Sequence, residues 1–299
     1  MVPVILIVGF LFTWSQLKDS RHNQAFDFYI AMFERFYNFK HLDPEVRIDF
    51  EYQFFDKIAP LMEKWLVYPE LITAGEMERF VAIDAFLNFF EIVAHASTDK
   101  RLLTSAAYRD VMFSYWFDLM TDDNHAILRR YLYLSFEAIR KRVGFAADNP
   151  SGEPVFLAVY GTLMTGQANL LAPGVRAAMK SHGKCRIPGK IVGIEDNHAG
   201  IRYPGLISSS NHDGSSVIGE LFEIGADDRR AAGILRTIDA YEEFNPGAPA
   251  DSTFCRRFIA VHLDSDQTTK KYAWVYVYNR PTSGLPVIES GDWSKFVET

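Results

Sequence analysis

The 299-residue chain carries 31 Lys and Arg against 38 Asp and Glu, a formal net charge of −7, and 48% of its residues are hydrophobic. That is enough apolar material for a buried core and excludes wholesale disorder. The acidic balance, without a Lys/Arg run, removes any general attraction to a phosphate backbone, so no nucleic-acid partner is expected. Only Cys185 and Cys255 are present, without Cys-x-x-Cys or zinc spacing, which points to buried free thiols rather than disulfides or a metal centre.

The length favours two domains. At the N-terminus, MVPVILIVGFLFTWSQLK is apolar as far as Trp14, and its first charges, Lys18 and Arg21, follow the run. No basic residues precede it and no small-residue cleavage site follows, which argues against a secretory signal. Residues 1–17 are therefore expected to form a single membrane anchor. Its basic C-terminal flank would hold residues 18–299 on the cytoplasmic face. As a helix the segment spans roughly 25 Å, against a hydrocarbon core of about 30 Å. The alternatives are a buried core helix, which would leave the protein cytoplasmic, and an N-terminus that begins partway into a longer anchor.

Residues 18–143 read as an all-α region of four or five bundled helices. AFDFYIAMFERFYNF and MERFVAIDAFLNFFEIVAHA repeat apolar residues at three- and four-residue intervals, and glycine is almost absent. Asp43 and Pro44 mark a helix start, and LMTDDNHA (119–126) a break. The aromatic stripe is expected to be core, with His95 among it as a core histidine. The region loosely resembles the helical domains of uncharacterised membrane-anchored bacterial proteins. It shows no chemical motif, and a protein partner for it is not identifiable.

Composition then shifts. GFAADNPSGEP (144–154) is a linker signature. Beyond it, β-branched and aromatic runs separated by glycines (VFLAVY, KIVGIE, VIGELFEI, RRFIAVHL, YAWVYVYN) predict mostly antiparallel strands, interrupted by a helix over 226–244. The chain is thus expected to be α+β, an N-terminal all-α region followed by a β-rich domain over 155–299.

Two features of this second half suggest chemistry. Tyr160-Gly161-Thr162-Leu163 leaves the first strand, and successive backbone amides there could form an anion-binding concavity; an ordinary turn is the competing reading. The helix ending TIDAYEEFNP carries Glu242 and Glu243 at its C-terminus, where carboxylates oppose the helix dipole. Glu243 reads as a solvated surface residue.

VYGTLMTGQAN, YPGLI, VIGELFEI, IDAYEEFNP, STFCRRFIAV, AWVYVYN and VIESGDW, in that order, resemble the motifs of the gamma-glutamylcyclotransferase-like family over residues 155–299. The resemblance implies a mixed β-barrel without metal or other cofactor. It also implies a small-molecule γ-glutamyl substrate whose α-carboxylate is gripped by backbone amides of Tyr160, Gly161, Thr162 and Leu163. Glu242, from the family's Asp-x-x-Glu motif, would be the catalytic acid/base that cyclises the γ-glutamyl group to 5-oxoproline and releases an amine or amino acid. Phe254 stands where the family often has tyrosine. That departure keeps a second reading open, a non-catalytic glutamyl-ligand sensor or membrane-tethered scaffold. Cys255 beside it is read as a small strand residue, since no histidine partner is evident.

Overall fold

The computed structural model describes residues 42–98, 113–133, 135–145, 154–166, 173–196, 201–207 and 214–297, together with positions 27, 31, 34 and 36. The expected anchor over 1–17 and most of the expected linker (146–153) lie outside them. Among the described residues no helix is long and apolar enough to cross a membrane.

The chain separates into two compact units that do not follow chain order. One comprises Met1–Ile58, Thr73–His125 and Leu132–Asp148, and the other Ala59–Ile72, Ala126–Tyr131 and Asn149–Thr299. The expected division into a continuous helical region of 18–143 and a C-terminal domain is therefore revised, because two pieces of the helical region cluster with the C-terminal part. Their polar groups explain the assignment. Arg130 bonds Asp228 at 3.0 Å, and the backbone carbonyl of Val67 accepts from Arg236 at 3.0 Å and again at 2.6 Å.

The first unit is helical. Helix α1 (Pro44–Tyr52) starts as expected, with the Asp43 carboxylate accepting from the Glu45 amide at 2.8 Å and Pro44 in the first turn. Helix α2 (Ala59–Val67) belongs to the other unit. Helix α3 (Ala74–Thr98) is the longest among the described residues of this region. It buries Ile83, Phe86, Leu87, Phe90, Val93 and Ala94, a three-and-four spacing that keeps one face apolar. His95 falls next in sequence but on the exposed side, so it is not the core histidine expected. His125 is buried instead, with Nε2 3.0 Å from the Phe50 carbonyl oxygen, and burial lowers its proton affinity.

Helices α4 (Ser114–Thr121), α5 (Ile127–Leu132, in the other unit up to Tyr131) and α6 (Glu137–Arg142) follow; with the helical positions 27, 31, 34 and 36, the described part of 18–143 holds more helices than the four or five expected. The Glu91 carboxylate accepts from the Ala138 and Ile139 amides at 2.8 and 2.9 Å and so caps α6. Aromatic rings fill the centre of this unit. The Phe50 and Phe86 centroids lie 5.0 Å apart, those of Phe86 and Phe90 5.1 Å, and Trp116 sits 5.5 Å from Phe86.

The second unit is built on a closed barrel of order β1-β5-β2-β6-β7, beside a two-stranded sheet of β3 and β4. Its strands are β1 (Val155–Val159), β2 (Lys180–Pro188), β3 (Lys190–Asp196), β4 (Ile201–Ile207), β5 (Ser216–Gly225), β6 (Phe254–Leu263) and β7 (Asp266–Tyr278). A short helix α7 (Pro173–Ala177) precedes β2, α8 (Asp228–Tyr241) joins β5 to β6, and α9 (Trp293–Val297) follows the barrel. All pairings are antiparallel except β1 with β7, where Phe156 faces Ala273 and Leu157 faces Trp274. Each of the five expected runs forms a strand. Alternating side chains such as Phe156, Ala158, Val217, Leu221, Ala273 and Val275 fill the core.

Candidate active site

Strand β1 ends at Val159, paired with Glu220, and the loop Tyr160–Leu163 follows. The buried Tyr160 hydroxyl donates to the Tyr276 carbonyl at 2.7 Å and accepts from the Leu206 amide at 3.1 Å, so one side chain ties β1 to β7 and β4. Gly161 is required by close approach: a Cβ there would lie 2.4 Å from Cγ of Pro204, a ring that cannot swing away. Met164 N–H closes the turn on the Gly161 carbonyl at 3.0 Å, and among the described residues the amides of Gly161 and Leu163 donate no hydrogen bond. The loop is clamped from behind. Arg176 donates to the Leu163 carbonyl at 2.6 Å and to Thr165 Oγ1 at 2.7 Å, while Glu220 accepts from the Thr165 amide and hydroxyl, both at 2.8 Å.

Helix α8 delivers the carboxylates. The Asp227 side chain caps its N-terminus by accepting from the Arg230 amide at 2.9 Å. At the other end Glu242 is the C-cap, its N–H bonding the Ile238 carbonyl at 2.8 Å, and Glu243 turns the chain away with φ of 55°. Glu242, Glu243 and the Tyr160–Leu163 loop line one cavity of about 290 Å³, together with Tyr203, Pro204, Tyr241, Thr253, Phe254 and Tyr276. Although Glu242 keeps part of its surface open, its carboxyl is desolvated; burial, and secondarily the charge of Asp239, push its pKa up to about 8. Glu243 is exposed, as expected of a surface residue, yet it also forms part of the cavity wall, where its carboxylate accepts from the Thr253 hydroxyl at 3.2 Å.

Behind Glu242 lies a buried ionic layer that motif reading did not resolve. The Asp239 side chain is enclosed; Oδ2 accepts from the Tyr68 hydroxyl at 2.8 Å and from Arg256, and Oδ1 accepts from the Tyr276 hydroxyl at 2.7 Å. With its proton committed to Asp239, the Tyr276 hydroxyl has only lone pairs left for another partner. The spacing of Asp239 and Glu242, three apart on one helical face, was the available signal for this layer. Phe254 is buried, its ring 5.6 Å from Tyr278 and 6.1 Å from Tyr203. The cysteines are not activated: burial pushes Cys185 up to about 12 and also raises Cys255, whose Sγ donates to the Pro249 carbonyl at 3.3 Å. Among the described residues no group of His, Cys, Asp or Glu is arranged to hold a metal ion.

Residues 157–295 match the family model "Gamma-glutamyl cyclotransferase, AIG2-like". Every residue of the cavity wall falls within that span. The gamma-glutamylcyclotransferase family protein YtfP of Escherichia coli K12 is 63% identical over 27 residues, which are 9% of this chain and 24% of that protein. The match thus spans about a quarter of the length of that curated relative. Among solved structures, that of E. coli YtfP is 25% identical with a TM-score of 0.30, covering 46% of this chain and 96% of its own. An AIG2-like protein from Mus musculus is 21% identical with a TM-score of 0.33, covering 46% and 87%.

Proposed function

We propose that the gamma-glutamylcyclotransferase-like domain of this chain cyclises a γ-glutamyl group to 5-oxoproline, with Glu242 as general acid/base. The observation that carries this reading is a desolvated carboxyl, Glu242, in the wall of the same cavity as the Tyr160–Leu163 loop. The free amides of Gly161 and Leu163 are donors suited to the substrate α-carboxylate. Ionised Glu242 takes a proton from the substrate α-ammonium. The freed amine nitrogen attacks the γ-carbonyl carbon, Glu242 passes its proton to the leaving nitrogen, whose bond to that carbon breaks, and the second proton, shed as the attacking nitrogen becomes the lactam N–H, passes through the same carboxylate to the departing amine. Nucleophile and electrophile belong to one molecule, so the protein's main task is to hold the chain curled.

A γ-glutamyl panel incubated with the full-length protein, with 5-oxoproline followed by mass spectrometry, tests the reading. The full chain is the right material because Ala59–Ile72 and Ala126–Tyr131 cluster with the barrel. Release of 5-oxoproline by wild type but not by Glu242→Gln supports the proposal, and its absence across the panel overturns it. Phe254 in the cavity wall favours a second reading, ligand binding without turnover. Calorimetric binding of a γ-glutamyl compound that is never converted would establish it.

A further inference from the structure

We propose that Tyr68, which lies outside the family-matching span, is a positioning residue of this site: it fixes Asp239 and through it the Glu242 carboxyl. For catalysis the inference rests on the proposed cyclisation. The coupling between the residues stands apart from it.

Three donors from three elements hold Asp239. Tyr276 comes from β7, Arg256 from β6, and Tyr68 from the turn after α2. Tyr68 is anchored for this task. The Arg236 guanidinium lies 4.8 Å from its ring centroid and that of Arg256 5.9 Å. Arg236 also binds the Val67 carbonyl and, at 2.9 Å, Glu70, so the turn is locked on both sides of Tyr68. Nearby, Glu63 of α2 is buried and lies 3.7 Å from Arg257.

The charged and titratable groups around Glu242 are Asp239, Tyr241 and Glu243 at the end of α8, Tyr160 just after β1, Tyr203 of β4 and Tyr276 of β7. Arg256 and Glu63 stand around Asp239. In this surrounding the Tyr68 hydroxyl acts as a dipole whose positive end points at Asp239. Removing it leaves the Asp239 charge less compensated, and the ionised form of Glu242 is repelled more strongly.

The test is a carbon-13 NMR titration of full-length protein labelled at the glutamate carboxyls, with Glu242 assigned through Glu242→Gln. In Tyr68→Phe, which keeps the ring and removes the hydroxyl, the Glu242 midpoint should move to higher pH. The acidic limb of kcat/KM should move with it, and KM for the γ-glutamyl substrate should stay unchanged. In Asp239→Asn the midpoint should move the other way. A folded Tyr68→Phe with the wild-type midpoint overturns the proposal. If Tyr68→Phe does not fold, Arg236→Gln, which loosens the turn, should give the same upward shift, and no shift there overturns the proposal equally. The titration needs no turnover, so an inactive wild type would refute the cyclisation while leaving the coupling decided.

Discussion

The helical unit and the barrel unit bury different things. In the first, rings such as Phe50, Phe86 and Phe90 pack at centroid distances near 5 Å, and burial there is mainly transfer of apolar surface out of water, with the Asp49 carboxylate, paired with Arg79, a buried charge among it. The second also encloses Asp239, Arg256 and Glu63, and Asp239 accepts a hydrogen bond from Tyr276 of the cavity wall. Enclosing charges costs stability that their mutual attraction barely offsets. The contrast therefore separates a region organised for packing from one that holds a desolvated carboxyl, Glu242, in a cavity wall.

The sharpest test of the contrast is Glu242→Gln, which keeps shape and removes proton acceptance. Turnover should fall by about 10²–10⁴-fold, the usual contribution of a general base, with ligand binding retained by calorimetry. A loss within about tenfold would break the assignment. On the packing side, Phe86→Ala in the helical unit should cost about 3–5 kcal/mol in denaturant unfolding. Under native conditions it should leave the Glu242 titration where it was; a displaced titration would show that the two cores are not separate.

Smaller in effect is Gly161→Ala, whose methyl meets the Pro204 ring. Overpacking of this kind costs about 1–3 kcal/mol, and under the proposed reaction, in which the loop binds rather than reacts, it should raise KM more than it lowers kcat.

With Glu242 pushed up to about 8, kcat/KM should climb as pH rises through about 8, since the base must be ionised. The limb of kcat should lie lower, because the bound substrate's ammonium favours the carboxylate. Stability runs the opposite way. A carboxyl whose folded pKa exceeds its unfolded value of 4.5 contributes stability that is complete below that value and is lost as pH rises through about 8. Glu63, pushed up to about 7, has the same sign. Glu242→Gln should therefore gain thermal stability over wild type above pH 8, and a scan showing no crossover would contradict the burial of this carboxyl. The smallest effect belongs to Glu243→Gln, which should alter turnover little because its carboxylate is exposed; a large loss would move the acid/base role to it.

Much of the barrel was legible because β-branched and aromatic runs declare strands. Two strands escaped. β2 is exposed over its first five residues and shows no alternation there, and β4 carries Pro204 and Gly205. The site was half legible: the loop and Glu242 sit in contiguous motifs, whereas the donors to Asp239 come from elements far apart in the chain. The periodicity of APLMEKWLV announces an apolar face on α2 without saying which neighbour covers it. The histidines make the same point. His95 has apolar neighbours in sequence but the wrong helical phase, and His125 sits in a polar loop yet is enclosed by Phe50 and Phe54.

The hydrogen bond from Tyr68 to Asp239 joins residues 171 positions apart. During translation at about 5–20 residues per second, Tyr68 leaves the ribosome roughly ten to thirty seconds before its acceptor exists. Throughout that interval Glu63, Tyr68 and the Val67 carbonyl lack the Arg257, Asp239 and Arg236 that later satisfy them. The barrel in turn closes only when β7 has been made and has paired with β1. The carboxyl layer behind the cavity is thus among the last parts of the molecule to form, and a chain interrupted before β7 would carry a helical unit without a site.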